Sequence, residues 1–234
     1  MESKIWSRAL PAFAVGFALY YAPAYSFTGA TSTFTWPLFT YFPEIDQWRW
    51  GLVPGSDTSG AAMRAPPLGV LPDLAEVMEK CRVQAAITHN TPDGIAAAVA
   101  AALMSHYLLH AVGPKKDLGT WLQGHVAGDW ATPWQGPVGS KGWMSVRAAV
   151  SAVVRNDRLS NLLRDCVGLT GDVDTVAAVA MAAASCSPEV EPDLPEGLVR
   201  DLENGAFGRD YLMDLDRKLL ALAGTARPAR PAPR

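Results

Sequence analysis

This chain is short of three things: cysteine, charge, and acid near its beginning. Its three cysteines, Cys81, Cys166 and Cys186, are an odd number among 234 residues with no Cys-x-x-Cys spacing. That excludes a disulfide frame and a zinc ribbon, and reads as reduced thiols in a cytoplasmic protein. Charged residues make up 18% of the chain, 20 Lys and Arg against 23 Asp and Glu, for a net charge of −3. No basic field is available to hold nucleic acid. Between Glu2 and Glu44 there is no Asp or Glu at all. The uncharged run from Leu10 to Ala30 follows Lys4 and Arg8, as a signal peptide or a span would. Pro11 and Pro23 interrupt it, and Tyr20, Tyr21, Tyr25, Ser26, Thr28 and Thr31 make the region too polar for hydrocarbon. It is read as a buried helix, with no membrane partner.

What is present is helix. Hydrophobic residues are 49% of the chain, enough for one substantial core. Thr91-Pro92-Asp93 is a helix start: a hydroxyl cap, a proline at the first helical position, then an acid. Behind it Ile95, Ala98, Val99, Ala102, His106 and Leu109 recur at helical spacing. Further helices are predicted over Leu74–Ala86, Gly119–Ala127, Met144–Val154, Leu159–Cys166, Thr175–Ser185, Pro195–Asn204 and Asp210–Leu222. Gly113–Lys116 and Thr132–Gly142 read as loops. Many helical positions are Ala, which lets helices approach closely in a compact bundle. The expectation is one all-α domain over residues 1–225 and a disordered Pro/Arg-rich tail over 226–234.

The chemistry concentrates at Gly171-Asp172-Val173-Asp174-Thr175, directly before an Ala/Val run. Carboxylates are favoured at a helix N-terminus, but two so close repel unless a proton or a cation lies between them. Asp and Thr oxygens are the hard ligands that Mg²⁺ or Mn²⁺ prefers. A capped surface helix would have the same residues. His89 and Asn90 sit just before the Thr91 helix start, where His89 either serves a site or holds its own loop by hydrogen bonds. His106, His110 and His125 read as helix-face residues.

Three segments together resemble the ADP-ribosylglycohydrolase family. Ser59-Gly60-Ala61-Ala62-Met63-Arg64-Ala65-Pro66-Pro67-Leu68-Gly69 is similar to its Gly-Ala-Ala-Met-Arg-x-x-Pro-hydrophobic-Gly segment. Thr88-His89-Asn90-Thr91-Pro92-Asp93-Gly94-Ile95 resembles its Ser/Thr-His-Asn-x-Pro-Glu-Gly-Ile motif, and Gly171 to Ala178 its Gly-Asp-x-Asp-Thr-Ile-Ala-Ala motif. The resemblance implies an all-α orthogonal bundle around a dinuclear Mg²⁺ or Mn²⁺ centre that cleaves the bond between ADP-ribose and a side chain. It also implies that Asp172, Asp174 and Thr175 are metal ligands.

The N-terminal half of that family pattern departs from it. Where the family has Gly-Asp-Ala-x-Gly, the best counterpart is Gly16-Phe17-Ala18-Leu19-Tyr20, and the following acid falls on Ser26. The family's Asp-Asp pair falls on Thr33 and Phe34. Aromatic residues take the place of acids. Phe17, Tyr25, Phe34 and Trp36, with Asn90 and Arg64, are the candidate substrate-binding set. Asp172, Asp174, His89, Tyr20 and Tyr21 are the catalytic candidates, the tyrosines as hydrogen-bond donors to a carbonyl or oxyanion. Arg64 is expected either at the site or paired with Asp172 or Asp174 as scaffold. Trp121, Trp130, Trp134 and Trp143 are candidates for a second pocket wall or a homodimer face. Three readings stay open. The first is an enzyme repurposed for proton transfer on an apolar or aromatic small molecule, with no cofactor. The second is a residual hydrolase with one Mg²⁺ or Mn²⁺, and the third is a non-catalytic binder of ADP-ribose or another ligand.

Overall fold

The structure, a computed structural model, describes residues 55–225. The expectations for the segment before residue 55, including Phe17, Tyr20, Tyr21, Tyr25, Phe34 and Trp36, and for the tail 226–234, lie outside the described residues. Among the described residues nine α-helices and two 3-10 turns form the fold, and β pairing is limited to isolated bridges. They are α1 (Gly60–Met63), α2 (Leu74–Ala86), α3 (Pro92–Leu109), α4 (Leu118–Gln123), α5 (Gly142–Arg155), α6 (Leu159–Gly168), α7 (Val173–Ala184), α8 (Glu196–Arg200) and α9 (Arg209–Thr225).

Helix α3 is the axis of the bundle. It begins as its sequence predicts, with the Thr91 side chain accepting from the Gly94 N–H at 3.0 Å and Pro92 in the first turn. Every residue from Ala97 to Leu108 is buried. By length and composition α3 could cross a membrane, but here it is enclosed by α1, α2, α5, α7 and the 3-10 turn Pro66–Val70. A helix apolar all round belongs in the middle of a bundle. The turn lies so close to α3 that a Cβ on Gly69 would sit 2.5 Å from the Ala102 carbonyl oxygen and 2.6 Å from the His106 nitrogen. Only glycine allows that approach. Helix α7, fully buried from Thr175 to Ala184, packs between α5 and α6 and against α3.

Two predicted helices are shorter than expected, each for a local reason. α4 stops at Gln123, where the Gly124 N–H turns back to the carbonyls of Thr120 and Trp121. α8 covers only Glu196–Arg200 and buries nothing. Asn204, expected inside it, instead accepts from the Asp210 N–H at 2.9 Å and opens α9. Lys115, in a segment predicted as loop, is buried in a 3-10 turn. Its amine donates to the carbonyls of Val153, Val154 and Asn156 at 3.0–3.3 Å, closing the C-terminus of α5. The tryptophans serve this core. Trp130 and Trp134 are buried, with indole N–H groups donating to Val126 and Gly136 carbonyls, while Trp121 and Trp143 pack partly buried against it. That overturns the expectation of a pocket wall or dimer face for Trp130 and Trp134.

Candidate functional site

The loop into α7 is shaped by backbone constraints before any side chain acts. Thr170 and Gly171 both have positive φ, 63° and 83°. The strand-like contact they make sends the Val138 N–H to the Thr170 oxygen at 3.0 Å and the Asp172 N–H to the Val138 oxygen at 2.9 Å. A Cβ on Gly171 would lie 2.1 Å from that oxygen. Glycine is therefore required here twice over, by φ and by the close approach. The result presents Asp172 at the N-cap and Asp174 in the first turn of α7.

Asp172 is half-buried and fully engaged. Its Oδ2 accepts from the Ser145 hydroxyl of α5 at 3.0 Å and its Oδ1 from the Thr175 hydroxyl at 2.8 Å. The buried Thr175 oxygen also lies 3.2 Å from Ser59 Oγ and 3.3 Å from Met63 Sδ. With one proton to give, it donates to the carboxylate, the nearest acceptor and the charged one. Asp174 is exposed and within hydrogen-bonding reach of Asp172. Desolvation first, then that contact, holds its carboxyl above the usual carboxylate range.

A second network lies on the other side of Ser59. His89 is buried, and both ring nitrogens meet hydroxyls: Nδ1 with Thr88 at 2.7 Å and Nε2 with Thr58 at 3.1 Å. Arg64 donates to the same Thr88 oxygen at 2.8 Å. The arrangement that uses every donor has Thr88 giving its proton to Nδ1 and the Nε2–H pointing to Thr58. Burial, and next the Arg64 charge, hold the His89 pKa below its ordinary value, favouring that neutral ring. The loop it anchors is held from both sides. Gly55 bridges to His89 and Thr58 to Lys141, Thr91 donates to the Ser56 oxygen at 3.1 Å, and Lys141 pairs with Asp57. Asn90 is exposed beside His89.

Arg64 does not pair with the aspartates. Its guanidinium donates to Gln84 Oε1 at 2.6 Å, the Gln84 carbonyl at 3.0 Å, the Gly60 carbonyl at 3.3 Å and Thr88. It ties the end of α2 to α1, which corrects the expected Arg–Asp pair. Sequence reasoning missed Ser145, and gave no role to Ser59 at the head of the first motif. Ser145 is one of two serines in an Ala/Val-rich helix, and nothing in its spacing sets it apart from Ser151.

The donor set can be compared with the metal centre that the resemblance implies. Two carboxylates and one hydroxyl converge, and among the described residues no group of three or more His, Cys, Asp or Glu does. Two divalent ions need about four negative charges nearby, and this set supplies half. Among the described residues the set suffices for a single ion and falls short of a pair.

With this geometry in view, the comparisons with known proteins converge. A model of the ADP-ribosylglycohydrolase family matches residues 20–229. The chain belongs to the ADP-ribosylglycohydrolase family. A solved structure titled "ADP-ribosylglycohydrolase-related protein complex" superposes with a TM-score of 0.62 at 19% identity, covering 89% of this chain and 80% of that one. At that identity the likeness is one of fold. No curated protein matches the chain. In this ADP-ribosylglycohydrolase relative the Gly-Ala-Ala-Met-Arg and Thr-His-Asn segments build the scaffold around Ser59, and the Gly-Asp-Val-Asp-Thr segment supplies the carboxyl pair.

Proposed function

We propose that this family member acts on an apolar or aromatic small molecule by proton transfer, such as isomerisation, elimination or cyclisation, without a two-ion centre. The observation that carries the reading is the state of Asp172. Both of its oxygens are taken by protein hydroxyls, from Ser145 and Thr175, as in an acid held for its own sake. Asp174 stands beside it at the exposed end of α7 as the partner that exchanges a proton with substrate. In sequence, aromatic residues replace the family's N-terminal acids, and Phe17, Tyr25, Phe34 and Trp36 are the side-chain types an apolar ligand calls for, with Tyr20 and Tyr21 as candidate hydrogen-bond donors. His89, with both nitrogens committed, enters as a positioning residue for the Ser56–Ser59 loop.

One observation favours a second reading. Asp172, Asp174 and Thr175 converge as a hard-ligand set for one Mg²⁺ or Mn²⁺, which suits a residual single-metal hydrolase of ADP-ribosyl or N-glycosyl bonds. Thermal unfolding with Mn²⁺ and ADP-ribose, alone and together, tests the two. A ligand at a hundred times its Kd adds about 2.7 kcal/mol, easily read as a melting shift. The proposal expects no shift that depends on Asp172 and Asp174. A shift needing both ligands and both aspartates overturns it in favour of the hydrolase. Ligand binding unaltered in Asp174→Asn, without turnover in either protein, overturns it in favour of a non-catalytic binder.

A further inference from the structure

The C-terminal helix carries an acid where its pattern calls for an apolar residue. The inward stripe of α9 runs Leu212, Asp216, Leu219 and Ala223 at helical spacing. Asp216 is 6% exposed, and its buried Oδ2 has no hydrogen-bond partner among the described residues. Helix α9 packs on the turn Pro66–Val70, whose residues Pro66, Pro67, Leu68, Gly69 and Val70 bring no side-chain donor and no charge.

Among the described residues the charged groups of α9, Cys186 and His106 do not pair with Asp216. On α9 itself, Arg217 and Lys218 are exposed and both pair with Asp214. Just past α7, the buried Cys186 thiol is pushed up to about 12, by burial first and with a contribution from the Asp216 charge. On α3, His106 donates through Nδ1 to the Leu71 carbonyl at 3.0 Å, and its ring lies 4.5 Å from that of His110, tilted by 47°. The His106 ring forms no ion pair with Asp216.

We propose that α9 is a pH-gated clamp: with Asp216 protonated it seats on the turn Pro66–Val70, and ionisation of Asp216 releases it. A carboxylate buried without a donor or a cation is costly, so the docked acid keeps its proton instead. Burial alone pushes Asp216 from the ordinary 3.8 up to about 7. In the released helix the same carboxyl is solvated and titrates as an ordinary aspartate. Because the docked pKa is the higher one, docking is strongest below about pH 4. It weakens roughly tenfold per pH unit up to about pH 7 and is level above that, about a thousand-fold in all. The turn follows closely on Met63, whose Sδ touches Thr175 at 3.3 Å, and on Arg64. Release of α9 therefore loosens the segment that backs the carboxyl pair.

Hydrogen exchange of the full chain, followed by mass spectrometry at pH 5, 6, 7 and 8 and corrected for intrinsic rates, tests the clamp. The wild type should open α9 about tenfold more with each unit from pH 5 to 7 and little more at pH 8, and Asp216→Asn should be flat. His89 and His106 titrate in both proteins, so the difference between them isolates Asp216. A flat wild type, or equal slopes in the two proteins, overturns the proposal. Should Asp216→Asn not fold, Asp216→Leu takes its place, with the wild-type Asp216 carboxyl followed by carbon-13 NMR. Titration near 7 supports the clamp, and titration near 4 overturns it.

Discussion

At the N-terminus of α7, Asp172 is half-buried and receives hydroxyl protons on both oxygens, from Ser145 and Thr175. In α9, Asp216 is more deeply buried and its Oδ2 receives nothing from the described residues. Both acids sit on helices of one small bundle, and the difference between them is the supply of donors. Donors turn a partly buried carboxylate into a fixed, oriented group. Without them, burial keeps the proton on, and the acid becomes responsive to pH. The first arrangement suits a site, and the second suits a clamp.

The comparison can be broken most severely from the backbone. Gly171→Ala forces a Cβ against the Val138 oxygen at a residue of positive φ. It should cost at least about 3 kcal/mol in denaturant unfolding, or abolish folding. Asp216→Leu acts in the opposite direction by completing the apolar stripe of α9. It should stabilise the protein by about 2 kcal/mol at pH 8, a gain that shrinks as pH falls and Asp216 of the wild type takes up its proton. Removing donors from Asp172 should make it resemble Asp216. Thr175→Val and Ser145→Ala should each cost about 1 kcal/mol, and the double variant should cost more than the sum, since the last donor matters most.

The smallest effect belongs to His89. His89→Gln should cost about 1 kcal/mol or less at pH 7.5, because the amide replaces part of the hydroxyl network. The pH dependence separates it from Asp216. The folded pKa of His89 lies below its ordinary 6.5, so the wild type loses stability as pH falls through that value, and His89→Gln should lose less. Asp216 works the other way, its contribution falling as pH rises between about 4 and 7. Unfolding curves of the single variants across pH 5 to 8 resolve the two opposed slopes.

The helices were legible because their signals are local. Thr91-Pro92-Asp93 marks a start by itself, and Leu74–Ala86 is found with the bounds its pattern predicts. The three motifs pointed correctly to the family. What stayed hidden was the partner of each polar group. Arg64 finds Gln84 and Thr88 rather than an aspartate because the end of α2 folds back beside α1, a contact no spacing announces. Ser145 reaches Asp172 across 27 positions. Asp216 reads in the sequence as one more charge in Met213-Asp214-Leu215-Asp216-Arg217, and only the packing of α9 on an apolar turn sets it apart from Asp214.

We propose that the carboxyl pair at α7 works without a two-ion centre. Electron paramagnetic resonance of the full chain titrated with Mn²⁺, with and without ADP-ribose, tests it most directly. The account predicts fewer than two tightly held ions per chain and no spin-coupled pair. Two tightly held, coupled Mn²⁺ ions that are lost in Asp172→Asn would contradict it.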